Sequence, residues 1–140
     1  RNIGNLHRNN KELKQSKECF EEIVKRSKKL GEHNPSLGNA YRDLGSIYYE
    51  EGNLRKALEY YQEALQTRIE VYGESHLYVA ESYMDIGNVY SDMRDYIQAI
   101  INYKKSKDIK RKYLAADKED ITELRELICM NVYSFYLEKP

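Results

Sequence analysis

His7, His33 and His76 are the residues of this 140-residue chain best suited to proton transfer or metal ligation, and Cys19 and Cys129 are its two thiols. General acid–base work or zinc binding needs several such groups to converge, usually within short ligand spacings. Here the histidines are scattered. His7 falls on a packing position, His33 and His76 lie in successive loops, and no carboxylate or cysteine set accompanies them. The cysteines are far apart in helical patterns, which predicts small buried thiols in a reducing compartment and neither a disulfide nor a metal site. Gly31, Gly38, Gly45 and Gly52 recur every seven residues. That is too wide for a loop that cradles phosphate, and two of them lie inside helical patterns. Serines such as Ser46 and Ser91 lack a neighbouring base. The expectation is a chain with no catalytic residues, no cofactor and no metal.

Composition narrows the classes further. The chain carries 23 basic and 23 acidic side chains, which argues against binding to nucleic acid or an anionic membrane, both of which rely on a concentrated positive excess. Fourteen tyrosines suggest base stacking, but most recur at regular core positions, so packing is the better account. No apolar run reaches membrane-spanning length and the start does not resemble a signal peptide. These features predict a cytoplasmic protein. The start at Arg1, inside a helical pattern, suggests a fragment of something longer.

The elements that position these residues are written twice, 42 residues apart. Gly31, Tyr41, Asp43, Gly45, Tyr48, Ala57 and Tyr61 map onto Gly73, Tyr83, Asp85, Gly87, Tyr90, Ala99 and Tyr103. Tyr41, Leu44, Gly45 and Tyr48 share one helix face, as do Ala57, Tyr61, Ala64 and Leu65. Between them Gly52 can take a positive φ and Asn53 can cap the next helix, so each unit is a helical hairpin. The spacing predicts helices near 36–51, 54–71, 78–92 and 96–113. An earlier unit, shifted by 41 residues, predicts two more near 1–10 and 12–30. Asn88-Val89-Tyr90-Ser91 returns as Asn131-Val132-Tyr133-Ser134, which opens a fourth unit with Met130 in the place of Gly87. Arg94 stands where Gly52 stood, at a cost of about 1 kcal/mol if the turn is left-handed.

Tyr41 to Leu44-Gly45 to Tyr48, followed by Ala57, Tyr61 and Ala64, resembles the tetratricopeptide repeat signature at its full internal spacing. The long period, with Gly31-Glu32-His33-Asn34-Pro35 and Gly73-Glu74-Ser75-His76, is similar to the kinesin light chain variety. His33 stands one place early for that variety, and Leu77 replaces its proline. The helices also resemble the Leu-Gly-Asn scaffolds that link heterotrimeric G-protein subunits to spindle proteins. The resemblance implies an all-α fold, a right-handed α-solenoid of antiparallel helical hairpins. The expected units are about 1–30, 31–72, 73–114 and a terminal half-repeat at 115–140.

Stacked hairpins of this kind place the first helix of each unit on a concave wall. If Tyr41, Leu44 and Tyr48 point inward, the opposite stripe at Asn39, Arg42, Ser46 and Tyr49 faces the groove. Its equivalents are Arg1, Asn5 and Arg8 before it, Glu81, Met84, Asp85, Asn88 and Ser91 after it, and then Leu124, Leu127, Asn131 and Ser134. Asn5, Ser46, Asn88 and Asn131 form a ladder suited to the backbone of an extended peptide, the work that groove asparagines do in the family it resembles. Arg1, Arg8 and Arg42 make one end basic, while Glu81, Asp85 and Asp92 make the other acidic. Tetratricopeptide clamps for a free C-terminal carboxylate use Lys and Arg in the third unit, where this chain has Glu81 and Asp85, so that activity is not expected.

The leading expectation is a non-enzymatic adaptor holding an extended segment of a protein partner. Two alternatives compete with it. One is an architectural subunit of a larger assembly, bound through its outer helices and the basic residues from Lys104 to Lys112. The other is a set of substrate-selecting repeats attached to an enzyme domain elsewhere. The first thirty residues hold nine basic against four acidic side chains, read as a solvated outer face.

Overall fold

The computed structural model describes the backbone at residues 3–31, 34–113 and 118–138, and side chains at 11–31, 34–113 and 123–138. Its elements are α1 (Ile3–Leu30), α2 (Pro35–Glu50), α3 (Leu54–Tyr72), α4 (Leu77–Asp92), α5 (Tyr96–Tyr113) and α6 (Lys118–Leu137). No strand occurs among the described residues. Helices α2/α3 and α4/α5 form two hairpins, α1 packs on α2, and α6 packs on α5. The architecture is an all-α helical repeat solenoid.

Local chemistry accounts for the helix ends. Asn34 accepts from the Leu37 backbone N–H at 2.9 Å ahead of Pro35, whose fixed φ and missing N–H suit a first helical turn. Asn53 caps α3 through the Lys56 N–H at 3.3 Å, and Asp95 does the same for α5 through the Gln98 N–H at 3.3 Å. Gly52 has φ +81 at the first hairpin turn. At the matching position Arg94 adopts φ 64, a left-handed backbone that an L side chain resists.

The first unit departs from expectation. Instead of one helix near 1–10 and another near 12–30, α1 runs without a break from Ile3 to Leu30. The reason lies at Lys11 and Glu12, which stand where Gly52 and Asn53 stand one unit later. A turn needs either glycine's freedom or a side chain that caps the next helix, and glutamate is a poor N-cap. The second hairpin survives the loss of its glycine because Asp95 retains the cap. With neither device, a run of good helix formers stays helical.

The core is a string of clusters along the stack. Val24 of α1 meets Leu37, Ala40, Tyr41 and Leu44 of α2 and Ala64 of α3. Tyr48, Ala57 and Tyr61 meet Ile86 and Val89 of α4, and Ala99 and Tyr103 meet Leu124 of α6. Tyr60 joins the first two clusters and Tyr90 the last two.

Each hairpin closes through one contact repeated at the 42-residue spacing. A Cβ on Gly45 would lie 2.6 Å from the Tyr61 ring, and one on Gly87 would lie 2.6 Å from the Tyr103 ring. Both rings are at most 5% exposed, so neither can move aside cheaply. Gly87→Ala is therefore expected to lower unfolding free energy by about 2 kcal/mol in denaturant titration, despite alanine's better helix propensity. Arg94→Gly should raise it by about 0.5–1 kcal/mol by relieving the left-handed backbone, and Gly52→Ala should lower it by a similar amount. The exposed ion pair from Arg94 to Glu138, at 3.3 Å, offsets little of that gain.

Candidate functional site

The stripes expected to face a groove do adjoin between consecutive hairpins. Arg42 of α2 reaches across to α4, with Nε 2.8 Å from Asp85 Oδ2 and 2.8 Å from Glu81 Oε1. One turn further on, the Tyr49 hydroxyl donates to Asp92 of α4. Both contacts join residues 43 apart, the signature of neighbouring first helices lying side by side. Burial raises the Asp85 carboxyl above its ordinary pKa even though Arg42 pulls it down. For Arg42, burial lowers the pKa, but the hydrogen bond and charge of Asp85 win and hold the guanidinium protonated. Tyr49 is pushed well above the usual phenol range by burial and by Asp92, so its hydroxyl remains a donor.

This pairing changes the electrostatics read from the sequence. Arg42 and the carboxylates of Glu81 and Asp85 compensate one another across the wall instead of forming separate basic and acidic ends. Of the other expected groove positions, Arg1, Asn5 and Arg8 have side chains outside the described residues.

The ladder of amides and hydroxyls is also engaged within the protein. Ser46 Oγ lies 3.0 Å from the Tyr61 hydroxyl, and Asn88 Oδ1 accepts from the Tyr103 hydroxyl at 2.5 Å. Burial, with the charge of Asp92 adding, pushes Tyr103 up to about 12, which keeps it the donor. The rung thus fixes the tyrosine that packs over the preceding glycine, in both hairpins.

Asn131 departs further from expectation. It is 4% exposed, its Nδ2 donates to the Leu127 carbonyl at 2.9 Å, and its Oδ1 has no partner among the described residues. Leu124, on the same stripe, is fully buried against Ala99 and Tyr103, with Leu127 and Met84 packed beside it. The cause is register: by the 42-residue period Leu124, Ile128 and Asn131 stand where α4 carries Ser82, Ile86 and Val89, the face that packs on the preceding hairpin. That stripe of α6 therefore goes into the body. Ser134 is half-buried on the same helix. Of the expected stripe on α2 and α4, Asn39 is exposed and Ser46, Tyr49, Met84, Asn88 and Ser91 are half-buried.

Behind this wall sits a residue the periodic reading passed over. Arg68 of α3 is 4% exposed and bonds the Tyr78 carbonyl at 2.9 Å, Ser82 Oγ at 3.1 Å and Asn39 Oδ1 at 3.4 Å, with Glu81 at 3.5 Å. It ties three helices together, and its guanidinium also lies 5.3 Å from the centre of the Tyr78 ring. The signal was available: Arg68 continues the Ala57, Tyr61, Ala64 stripe, so a charge there had to be buried and paired.

The groups with chemical potential have structural partners or stand apart. His76 caps α4 by accepting from the Tyr78 N–H at 3.1 Å, and its ring stacks on Tyr72 at 4.4 Å. His7 and His33 lie outside the residues with described side chains. Cys19 and Cys129 were expected to be buried and are both exposed. Among the described residues no group of three His, Cys, Asp or Glu could hold a metal, and no helix is long and apolar enough to cross a membrane.

With this geometry in view, comparison with known proteins is direct. BtubC (BKLC) from P. vanneervenii superposes with a TM-score of 0.80 at 21% identity, covering 88% of this chain and 50% of that one. A Podosopora anserina protein described as a kinesin light chain, with nearly identical TPR-like repeats, gives 0.74 at 14% identity, covering 94% of this chain and 63% of that one. The chain thus spans about half to five-eighths of these structures, and no curated protein matches it. A tetratricopeptide repeat model matches residues 1–70 and again 36–112. The chain belongs to the tetratricopeptide repeat family, with a repeat fold of the kinesin light chain type.

Proposed function

We propose that this chain is a non-catalytic adaptor of the cytoplasm, which holds an extended segment of a partner protein along the wall formed by α2 and α4. Tetratricopeptide repeats serve protein–protein interaction, and the concave surface of a solenoid is where such repeats offer a continuous contact. The supporting observation is the side-by-side packing of the first helices, seen in Arg42 against Asp85 and Tyr49 against Asp92.

Two features shape what such a wall would hold. Arg42 is already paired with Glu81 and Asp85, so recognition rests on hydrogen bonding from Asn39, Asn88 and Ser91 and on the pliable side chain of Met84, not on a charged terminus. Because Asn131 turns inward, the amide ladder ends at α4.

Short extended peptides selected on the immobilised chain from a random library provide the test. Asn39→Asp, which keeps the oxygen that accepts from Arg68 and removes the amide donor, should weaken their binding about tenfold, which is about 1.4 kcal/mol, with helicity unchanged. Charge reversal at Lys104 and Arg111, on the exposed face of α5, should leave it unaltered. The reverse pattern would overturn the groove and favour assembly through the outer helices.

A further inference from the structure

The outer face of α5 differs in kind from that of α3. Ile97 and Ile101 are 53% and 40% exposed. Further along the helix Lys104, Lys105 and Lys112 are exposed around a single acid, Asp108, and none of the four forms an ion pair among the described residues. Ile97, Ile101, Lys104 and Asp108 fall at spacings of four, three and four, which sets them in one row along the helix. The row is aliphatic in its first half and basic around its second.

Helix α3 shows what these positions carry when they only face water. The 42-residue register holds between the two helices in space as well as in sequence, since Ala57 and Ala99, and Tyr61 and Tyr103, are buried in both. On that register Ile97 and Ile101 correspond to Arg55 and Glu59, and Lys104, Lys105, Asp108 and Lys112 to Gln62, Glu63, Gln66 and Glu70. All six are exposed on α3, although a complete hairpin packs after it. The face therefore looks outward even with a following unit in place. Charged and polar groups suit it there, whereas two isoleucines leave apolar area in water. The helix dipole draws cations to the last turn and so accounts for Lys112, and the Tyr83 ring engages Lys105 at 5.5 Å. Neither effect accounts for Lys104 or the isoleucines.

We propose that the outer face of α5 docks one helix of a partner protein, antiparallel to α5, acidic in its first two turns and aliphatic in the next two. Charge complementarity sets that class. Acids early in the partner helix meet the lysines and also complement the partner's own dipole, and aliphatic residues four apart then cover Ile97 and Ile101. An anionic bilayer fits less well, because a helix lying on a membrane is apolar along its whole length, whereas here the apolar and basic parts follow one another and Asp108 interrupts the basic part. A second copy of the chain fits less well too. Its acidic outer helix is α3, and no large apolar side chain of α3 is exposed to cover the isoleucines.

The intact chain and a labelled designed peptide test this by fluorescence anisotropy. The peptide carries glutamates in its first two helical turns and two leucines, four residues apart, in the next two. It should bind, and raising the salt from about 0.05 M to about 0.5 M should weaken binding several-fold. Ile97→Arg with Ile101→Glu gives α5 the residues that α3 carries, and should weaken binding about tenfold or more at unchanged helicity. Lys104→Gln with Lys105→Glu, again the residues of α3, should weaken binding and flatten its salt dependence. A peptide of the same composition with the leucines ahead of the glutamates should bind more weakly. The proposal is overturned if the designed peptide does not bind, if either pair of substitutions leaves its affinity unchanged, or if the reversed peptide binds as well. It is also overturned if phosphatidylserine vesicles or a second copy of the chain, followed by sedimentation, occupy this face instead.

Discussion

Everything in this molecule depends on how closely two helices approach at a residue without a side chain. Gly45 beneath Tyr61, and Gly87 beneath Tyr103, set the separation within each hairpin. The ring then carries its hydroxyl across to Ser46 or Asn88 on the partner helix. Packing and hydrogen bonding therefore specify the same geometry, and a helix slipped by one residue would lose both. The fully buried alanines on the second helices, Ala57 and Ala99, extend the same close approach along the seam.

Between hairpins the means of attachment is different. Arg68 is taken out of water among a carbonyl, a hydroxyl, an amide oxygen and a half-exposed carboxylate, while Arg42 bridges two carboxylates of the next first helix. A buried guanidinium is costly unless its donors are satisfied, so these contacts discriminate between one stacking register and any other more than they add raw stability. At the α5–α6 junction the same task passes to apolar packing around Leu124. The junction between the two hairpins thus adds buried polar ties to an apolar contact, whereas the α5–α6 junction rests mainly on apolar packing.

The hairpins were legible because a 42-residue period overdetermines them. Positions such as Tyr41, Gly45, Ala57 and Tyr61 match their counterparts in residue type, and four helices fall within a residue or two of the expected limits. The unbroken α1 was less so: its sequence aligns with a hairpin, but at Lys11 and Glu12 the turn-forming residues are gone, and core periodicity says nothing about a missing turn. The wall was legible only in part. Periodicity assigns a residue to a helix face, but it does not reveal that a polar group on that face is already bonded to a neighbour, as Arg42, Tyr49 and Asn88 are. Nor does the letter match of Asn131-Val132-Tyr133-Ser134 at 43 residues show that α6 packs by the 42-residue period, with Leu124, Ile128 and Asn131 where Ser82, Ile86 and Val89 are buried. Such outcomes depend on pairs distant in sequence.

The unbroken α1 also bears on mechanics. At 28 residues it extends roughly 42 Å, and its described core contacts come from its second half, through Phe20 and Val24. A continuous helix transmits a load along its axis without a hinge, and the Phe20 and Val24 contacts pass it on to the Tyr41 cluster. The segmented hairpins beyond it, joined through a few bridging side chains, would yield to the same load one seam at a time.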